Sequence, residues 1–331
     1  VQLAGLIVVV AVALLFDYTN GFHDAANAVA SVVSTRALSL RSALTLAAVM
    51  NLIGALLGTG VAVTVAKGII DTPTGPQALG VVFSALLGAI VWNLITWYFG
   101  LPSSSSHALI GGLVGAGIAS GTTVHWGGVL EKVVVPMVVS PLIGLVLGYL
   151  LMLAVLWLFR KARYHRVTRG FRIAQVASGA SLALGHGLQD AQKTMGLIVL
   201  ALLATGRQHD AHVPMWVVLA CAAAMAAGSW SGGRRIMRTL GRRIFPLTPP
   251  HGFVAEVTGS LVLYLTAFVF AAPVSTTHVI TSAIMGVGTT RRPSAVRWAV
   301  AENVVSGWVL TLPASAVVAG LVHWPLHLLW S

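Results

Sequence analysis

Apolar runs longer than about 18 residues recur from one end of this 331-residue chain to the other, and each can cross a hydrocarbon core of roughly 30 Å as a helix. That pattern leaves little choice of fold. With 57% of its residues apolar, 8% charged and a mean hydropathy of +0.88, the chain cannot build the surface of a soluble domain, which carries roughly 25% charged residues. An all-α polytopic membrane protein is expected, with no room for a soluble catalytic module. The opening VQLAGLIVVVAVALLF has no basic n-region and no small-residue cleavage pattern, so it reads as the first transmembrane helix rather than a signal peptide. The single cysteine, Cys221, sits in an apolar run; it offers no disulfide and no thiolate metal site and reads as a small buried residue.

The net charge of +12 would suit nucleic acid if it formed one patch, but sixteen of the twenty lysines and arginines lie in four short stretches between apolar runs. These are Arg36 with Arg41, six residues from Arg160 to Arg172, five from Arg234 to Arg243, and three from Arg291 to Arg297. Such clusters follow the positive-inside rule and mark cytoplasmic connections, where they touch anionic membrane lipid; no nucleic-acid partner is expected. Spans are placed at about 2–33, 43–66, 78–99, 103–120 and 132–158, then 173–205, 213–231, 251–272, 275–290 and 296–322. An even number of spans separates every pair of basic stretches. The connections near Asp71 to Pro76, Gly121 to Glu131 and Arg207 to His212 then lie outside, as do both termini.

Five crossings in each half would set two similar halves upside down relative to each other, and the halves are similar. NGFHDAANAVA (Asn20 to Ala30) matches HGLQDAQKTMG (His186 to Gly196), and LPSSSSHALIGGLVG (Leu101 to Gly115) matches APVSTTHVITSAIMG (Ala272 to Gly286). Asp24 to His107 spans 83 residues and Asp190 to His278 spans 88. The expected organisation is therefore a first inverted repeat at 1–159, a basic cytoplasmic linker at 160–172 and a second inverted repeat at 173–331, an architecture that in transporters places the substrate at the repeat interface. Both Asp-bearing spans exceed the roughly 20 residues needed to cross, so both are predicted to be helices broken near Gly21 and Gly187 at a central cavity.

A carboxylate in apolar surroundings is costly and by default marks an ion or proton pathway, which singles out Asp24 and Asp190. Pairing with a helix end or with Lys193 is the structural alternative. Asn20, His23 and Asn27, and His186, Gln189, Gln192 and Lys193, would complete a polar site. Pro102 with Ser103 to Ser106, and Pro273 with Ser275 to Thr277, read as helix starts, since Pro fits the first turn and hydroxyls cap free N–H groups. Helix N-termini favour anions, and two aimed at the midplane suit a tetrahedral oxyanion; plain capping is the competing reading. Glu256 is a candidate for ion coupling, Glu302 reads as interfacial, and Asp17 reads as a helix cap. His107 and His278 are either proton relays or hydrogen-bonded structural residues.

At these motifs the chain resembles the PiT family of inorganic phosphate transporters, through GFHDAAN, HGLQDAQKTMG, LPSSSSH and PVSTTH, over essentially its full length. The resemblance implies an inverted-repeat fold with broken helices and re-entrant-like hairpins that takes up inorganic phosphate across the cell membrane with a coupling cation. It implies phosphate contacts from Ser104, Ser105, Ser106, Ser275, Thr276 and Thr277, with Asn27, Gln189 and Lys193. Cation coupling falls to Asp24, Asp190, Asn20, His23, His186 and Glu256, and Asp24 and Asp190 are also the candidate metal ligands. His23 and Gln189 replace the family's Asn before each Asp, and Asn51 stands where sodium-coupled members usually carry Glu. NGFHDAANAVA is similar to the bacterial low-affinity branch, which implies a proton as coupling ion and magnesium or another divalent metal travelling with phosphate; sodium remains the alternative. No covalent cofactor is expected, and a homodimer is the candidate assembly. The competing functions are carriage of sulfate or arsenate, a channel with paired histidines, and an intramembrane serine hydrolase built on SSSSH, whose adjacent Ser and His do not by themselves make a nucleophile and base.

Overall fold

The structure is a computed structural model, and it describes residues 2–62, 70, 76–270 and 273–330. The expected end of the second span at 63–66, the connection at 71–75 and Ala272 of the second hairpin motif lie outside these residues. The described chain is helical throughout: α1 (Gln2–Ser34), α2 (Leu40–Ala55), α3 (Pro76–Phe99), α4 (Ser105–Ala119), α5 (Trp126–Leu158), α6 (Tyr164–Ala204), α7 (Met215–Ser231), α8 (Arg234–Arg243), α9 (Pro249–Phe268), α10 (Thr276–Thr289) and α11 (Trp298–Trp330). Among the described residues five helices are long and apolar enough to cross a membrane, or six when α7 and α8, bent by 57° at Gly232 and Gly233, count as one.

Two expectations are corrected here. The Asp-bearing helices are not broken: α1 runs unbroken for 33 residues, about 50 Å, and α6 for 41. Gly21 and Gly187 are instead crossing points. A methyl on Gly21 would land on the carbonyl of Met225 in α7, and one on Gly228 of α7 would land on Tyr18 of α1. The second crossing has the same form, with Gly187 of α6 against the Asn51 backbone of α2 and Gly54 of α2 against Leu184. Only a residue without Cβ lets two backbones come this close. The first nine residues of α6 also absorb most of the expected 160–172 linker into helix.

The stretches at 103–120 and 275–290 are not membrane-crossing helices either. The helix at α4 has 15 residues and that at α10 has 14, about 22 and 21 Å, too short for a core of roughly 30 Å. Each is the short arm of a hairpin whose long arm is α3 or α9. Gly100, with φ +67°, turns the chain after α3, and extended residues lead to the capping Ser104. Ile70 and Val124, on either side of the first hairpin, form an antiparallel bridge. The short arms are held by distant helices, with Gly115 of α4 on Ala316 of α11 and Gly286 of α10 on Leu145 of α5.

Apolar packing forms two clusters. One gathers Leu6 to Phe16 of α1 with Leu79 to Ile90 and Ala191 to Leu202; the other gathers Ala25 to Val32 with Leu182, Ala183 and Ile280 to Val287. Between them α1 and α6 each pass through a polar band, and the hairpin tips enter that band.

Candidate functional site

The band is built where the starts of α4 and α10 meet α1 and α6. Ser104 and Ser275 are N-caps whose hydroxyls accept the backbone N–H of His107 and His278, each at 3.2 Å. Capping frees the next two hydroxyls of each helix to face the carboxylates. Ser105 Oγ donates to Asp24 Oδ2 at 3.0 Å, and Thr277 Oγ1 lies 3.3 Å from Asp24 Oδ1, so one carboxylate holds both hairpin tips. Thr276 Oγ1 donates to Asp190 Oδ2 at 3.2 Å. Lys193 Nζ joins Asp190 Oδ1, Ser106 Oγ and, at 3.1 Å, the Val274 carbonyl. Every one of these side chains is buried, none more than 5% exposed, and the centre is sealed from both faces in this conformation.

Histidines complete it. His23 Nδ1 lies 2.6 Å from Asp24 Oδ1, while its Nε2 faces the hydroxyls of Thr96 at 3.1 Å and Ser103 at 3.4 Å. His186 Nε2 lies 3.0 Å from Asp190 Oδ2 and 4.0 Å from Asp24 Oδ2, so these three side chains form a group whose donor atoms all lie within 4.8 Å. The amide of Asn51 donates through Nδ2 to Ser229 Oγ at 2.7 Å and turns its Oδ1 toward His186 Nδ1 at 3.0 Å. Nδ1 must therefore be the donor. With that nitrogen protonated, the contact between His186 Nε2 and Asp190 needs one further proton, on the imidazole or on the carboxyl, or two lone pairs would face each other.

Of the residues singled out in the sequence, Asp24, Asp190, His23, His186, Lys193, Ser105, Ser106, Thr276 and Thr277 converge here. Asn27 joins them through its amide, which donates to Thr277 Oγ1 at 2.8 Å and leaves Oδ1 without a hydrogen-bond partner. Asn20 is buried one turn before Asp24, and its Oδ1 likewise has no partner. Gln189 faces away, donating to Thr266 Oγ1 of α9 at 2.9 Å, and Gln192 accepts the Val61 N–H at 2.8 Å. Glu256 sits apart from the two aspartates, where its carboxylate takes hydrogen bonds from Ser31, Ser178 and, at 3.2 Å, Gln175. His107 and His278 meet with their rings tilted by 38° and centroids 4.8 Å apart, and His278 stacks on Trp308 at 4.0 Å, a brace between the two short helices. Asp17 is no helix cap: it lies mid-way along α1, fully buried, accepting from Thr194 Oγ1 at 2.5 Å.

Thr96, Ser31 and Ser178 were not singled out, because a lone hydroxyl in an apolar helix carries no mark of the partner it meets across the fold. The hydrolase reading of SSSSH is not supported at Ser104, which accepts the His107 backbone N–H as a cap.

Comparison with known proteins closes the description. The profile of the family described as "Phosphate transporter family" matches residues 20–319. The chain is 48% identical over 327 residues to a protein of Rhizobium meliloti named "Probable low-affinity inorganic phosphate transporter", covering 98% of this chain and 97% of that protein. A protein of the same name from Mycobacterium bovis is 47% identical, over 97% of this chain and 78% of its own length. Among solved structures, one titled "The sodium-dependent phosphate transporter" superposes with a TM-score of 0.90 at 24% identity, covering 98% of this chain and 99% of that one, a likeness of fold.

Proposed function

Because the chain belongs to the phosphate transporter family, we propose that it carries inorganic phosphate across the cell membrane, coupled to a proton that binds at the Asp24–Asp190 centre. The observation that carries the reading is the meeting of two hydroxyl-lined helix starts with an ammonium and two carboxylates in one sealed polar band. Helix starts supply N–H groups and a positive end for the phosphate oxygens. Lys193 supplies the full charge, and Ser105, Ser106, Thr276 and Thr277 the directional hydrogen bonds. The family's activity is transport, and hydrolysis drops out.

Proton coupling is supported by the Asn51–His186–Asp190 group, in which the two ring nitrogens of His186 lie 3.0 Å from the Asn51 amide oxygen and 3.0 Å from the Asp190 carboxylate, so that imidazole and carboxyl can exchange a proton. Magnesium fits as cargo rather than as a resident ion. It requires near-octahedral oxygen ligation, whereas Asp190 is already engaged by an ammonium and an imidazole; bound phosphate and water would supply most of its ligands. A sodium-coupled reading is favoured by one observation, the unpartnered Asn27 Oδ1 beside Thr277 and Asp24, an all-oxygen corner.

For the transport cycle, the two halves act as inverted repeats that rock about the Gly21–Gly228 and Gly54–Gly187 crossings and expose the centre to each face in turn. Basic segments face the cytoplasm and both termini the outside. Arsenate, nearly isosteric with phosphate, competes; sulfate, with no proton to give a carboxylate, does not. Uptake of radiolabelled phosphate into proteoliposomes, under inward proton or sodium gradients with and without magnesium, is the test. Proton-driven accumulation raised by magnesium is expected. Accumulation driven only by sodium would overturn the coupling ion, and none under either gradient would overturn phosphate as substrate.

A further inference from the structure

The α1 helix carries a polar stripe that extends beyond the motif. Asp17, Asn20, Asp24, Asn27 and Ser31 follow at intervals of three and four residues, which places them on one face of a helix. Asp24 and Asn27 belong to the centre, and Ser31 reaches Glu256. Asp17 has no part in either. It lies two turns before Asp24, about 10 Å along the axis, on the other side of the centre from Glu256.

Its surroundings are specific. Asp17 is 0% exposed, and Oδ1 accepts from Thr194 of α6, the residue one turn past Asp190. Asp17 Oδ2 has no hydrogen-bond partner, and neither has Asn20 Oδ1, one turn further along the same face. Two buried oxygen acceptors thus share one face of α1, one turn apart. The ionisable groups facing Asp17 are Cys221 of α7 and, along α6, Asp190 and His186; no lysine or arginine pairs with it among the described residues. A buried carboxylate held by the Thr194 hydroxyl and the Cys221 thiol, with no cation paired to it directly, is costly, since taking a charge out of water is offset only by pairing. One added proton relieves the charge, because a protonated Oδ2 is neutral, and it places a donor on the helix face that carries Asn20. A metal cation would need on the order of six oxygen ligands, more than this corner offers.

We propose that Asp17, with Asn20 and Thr194, forms a second proton-binding station, separate from the Asp24–Asp190 centre, through which the coupling proton passes on its way between that centre and the face at which α1 begins. The proposal rests on the phosphate-symport reading above. The proton arrives from water when that face is open, resides on Asp17 Oδ2 while the band is sealed, and leaves to the centre as phosphate binds, restoring the carboxylate. Thr194, bonded to Asp17 and one turn from Asp190, ties the two stations together, so that a shift of α6 is felt at both.

Asp17→Asn tests this with the full chain in proteoliposomes, because Asn keeps an acceptor for Thr194 and a donor for Asn20 while holding no exchangeable acid. Accumulation of radiolabelled phosphate under an inward proton gradient is expected to fall at least about tenfold. Phosphate exchange without a gradient continues in the variant, with a pH profile displaced from that of the wild type by the loss of the Asp17 carboxyl. The infrared carbonyl band of a protonated carboxyl, present in the wild type, is lost. Thr194→Val shifts the pH profile of exchange, and Thr194→Ser restores it. An Asp17→Asn protein that accumulates phosphate and responds to pH as the wild type does overturns the second station and leaves phosphate transport standing. A wild type that accumulates phosphate only with sodium also overturns it, whereas a wild type that neither accumulates nor exchanges phosphate removes the function on which it rests.

Discussion

The two aspartate boxes occupy matching places in the sequence, yet they are furnished differently. Asp24 is held by the hydroxyls of Ser105 and Thr277 and by the His23 imidazole, with no lysine or arginine on it among the described residues. Asp190 is held by the Lys193 ammonium, Thr276 and His186. The difference comes down to the third residue after each Asp, Asn27 in one box and Lys193 in the other. The same motif thus gives one half whose carboxylate has no ammonium beside it and suits a cation, and one half that turns an ammonium toward an anion.

The comparison breaks most visibly at the charges. Asp24→Asn and Asp190→Asn should each lower coupled uptake by about a hundredfold or more, the equivalent of roughly 3 kcal/mol, while the protein still inserts. Normal uptake by both would remove the site assignment. Lys193→Met leaves the buried Asp190 without its ammonium, held only by Thr276 and His186, and should cost about 3–5 kcal/mol in stability, read as thermal unfolding in detergent. Adding Asp190→Asn should recover most of that stability and none of the transport; a double variant as unstable as the single one would show that the pair is not the cause.

The glycine crossings come next. A methyl at Gly21 or Gly187 forces backbone apart and should cost about 1–3 kcal/mol at each, with slower turnover at unchanged phosphate affinity. If only one of the two slows the carrier, the crossings are not equivalent. The hydroxyls separate more finely. Ser104→Ala and Ser275→Ala each remove a helix cap, about 1 kcal/mol of stability, and should leave phosphate KM close to wild type, whereas Ser105→Ala and Thr276→Ala should raise it. The smallest effect belongs to Thr266→Val, which takes one hydrogen bond from Gln189, about 1 kcal/mol, and should change phosphate KM by less than about twofold. A larger change would return Gln189 to the substrate.

Much of this was legible without coordinates. Apolar runs gave the helices, and the duplicated motifs named Asp24, Asp190, Lys193 and the four hydroxyls that converge with them. What failed did so for physical reasons. A 33-residue apolar helix with a central glycine reads alike whether the glycine breaks it or lets another helix approach, and only the position of Met225 decides for Gly21. The reading of Asp17 as a cap was reasonable for an isolated acid, because its partner Thr194 lies 177 residues away in sequence. Gln189 shares the motif of Asp190 but leaves the helix on another face, toward α9. Sequence spacing shows which side chains share a helix face; it does not show what stands opposite.

The paired glycine crossings also limit how such a chain can change over generations. At each crossing a methyl gained on either helix strikes the opposite backbone, so no single substitution passes through an intermediate that packs as before. The four positions are closed to one-step drift, and a lineage can remodel the crossings only by altering the facing helix at the same time. A substitution beside the centre meets side chains rather than a facing backbone, so an exchange such as asparagine for lysine there leaves the crossings as they are.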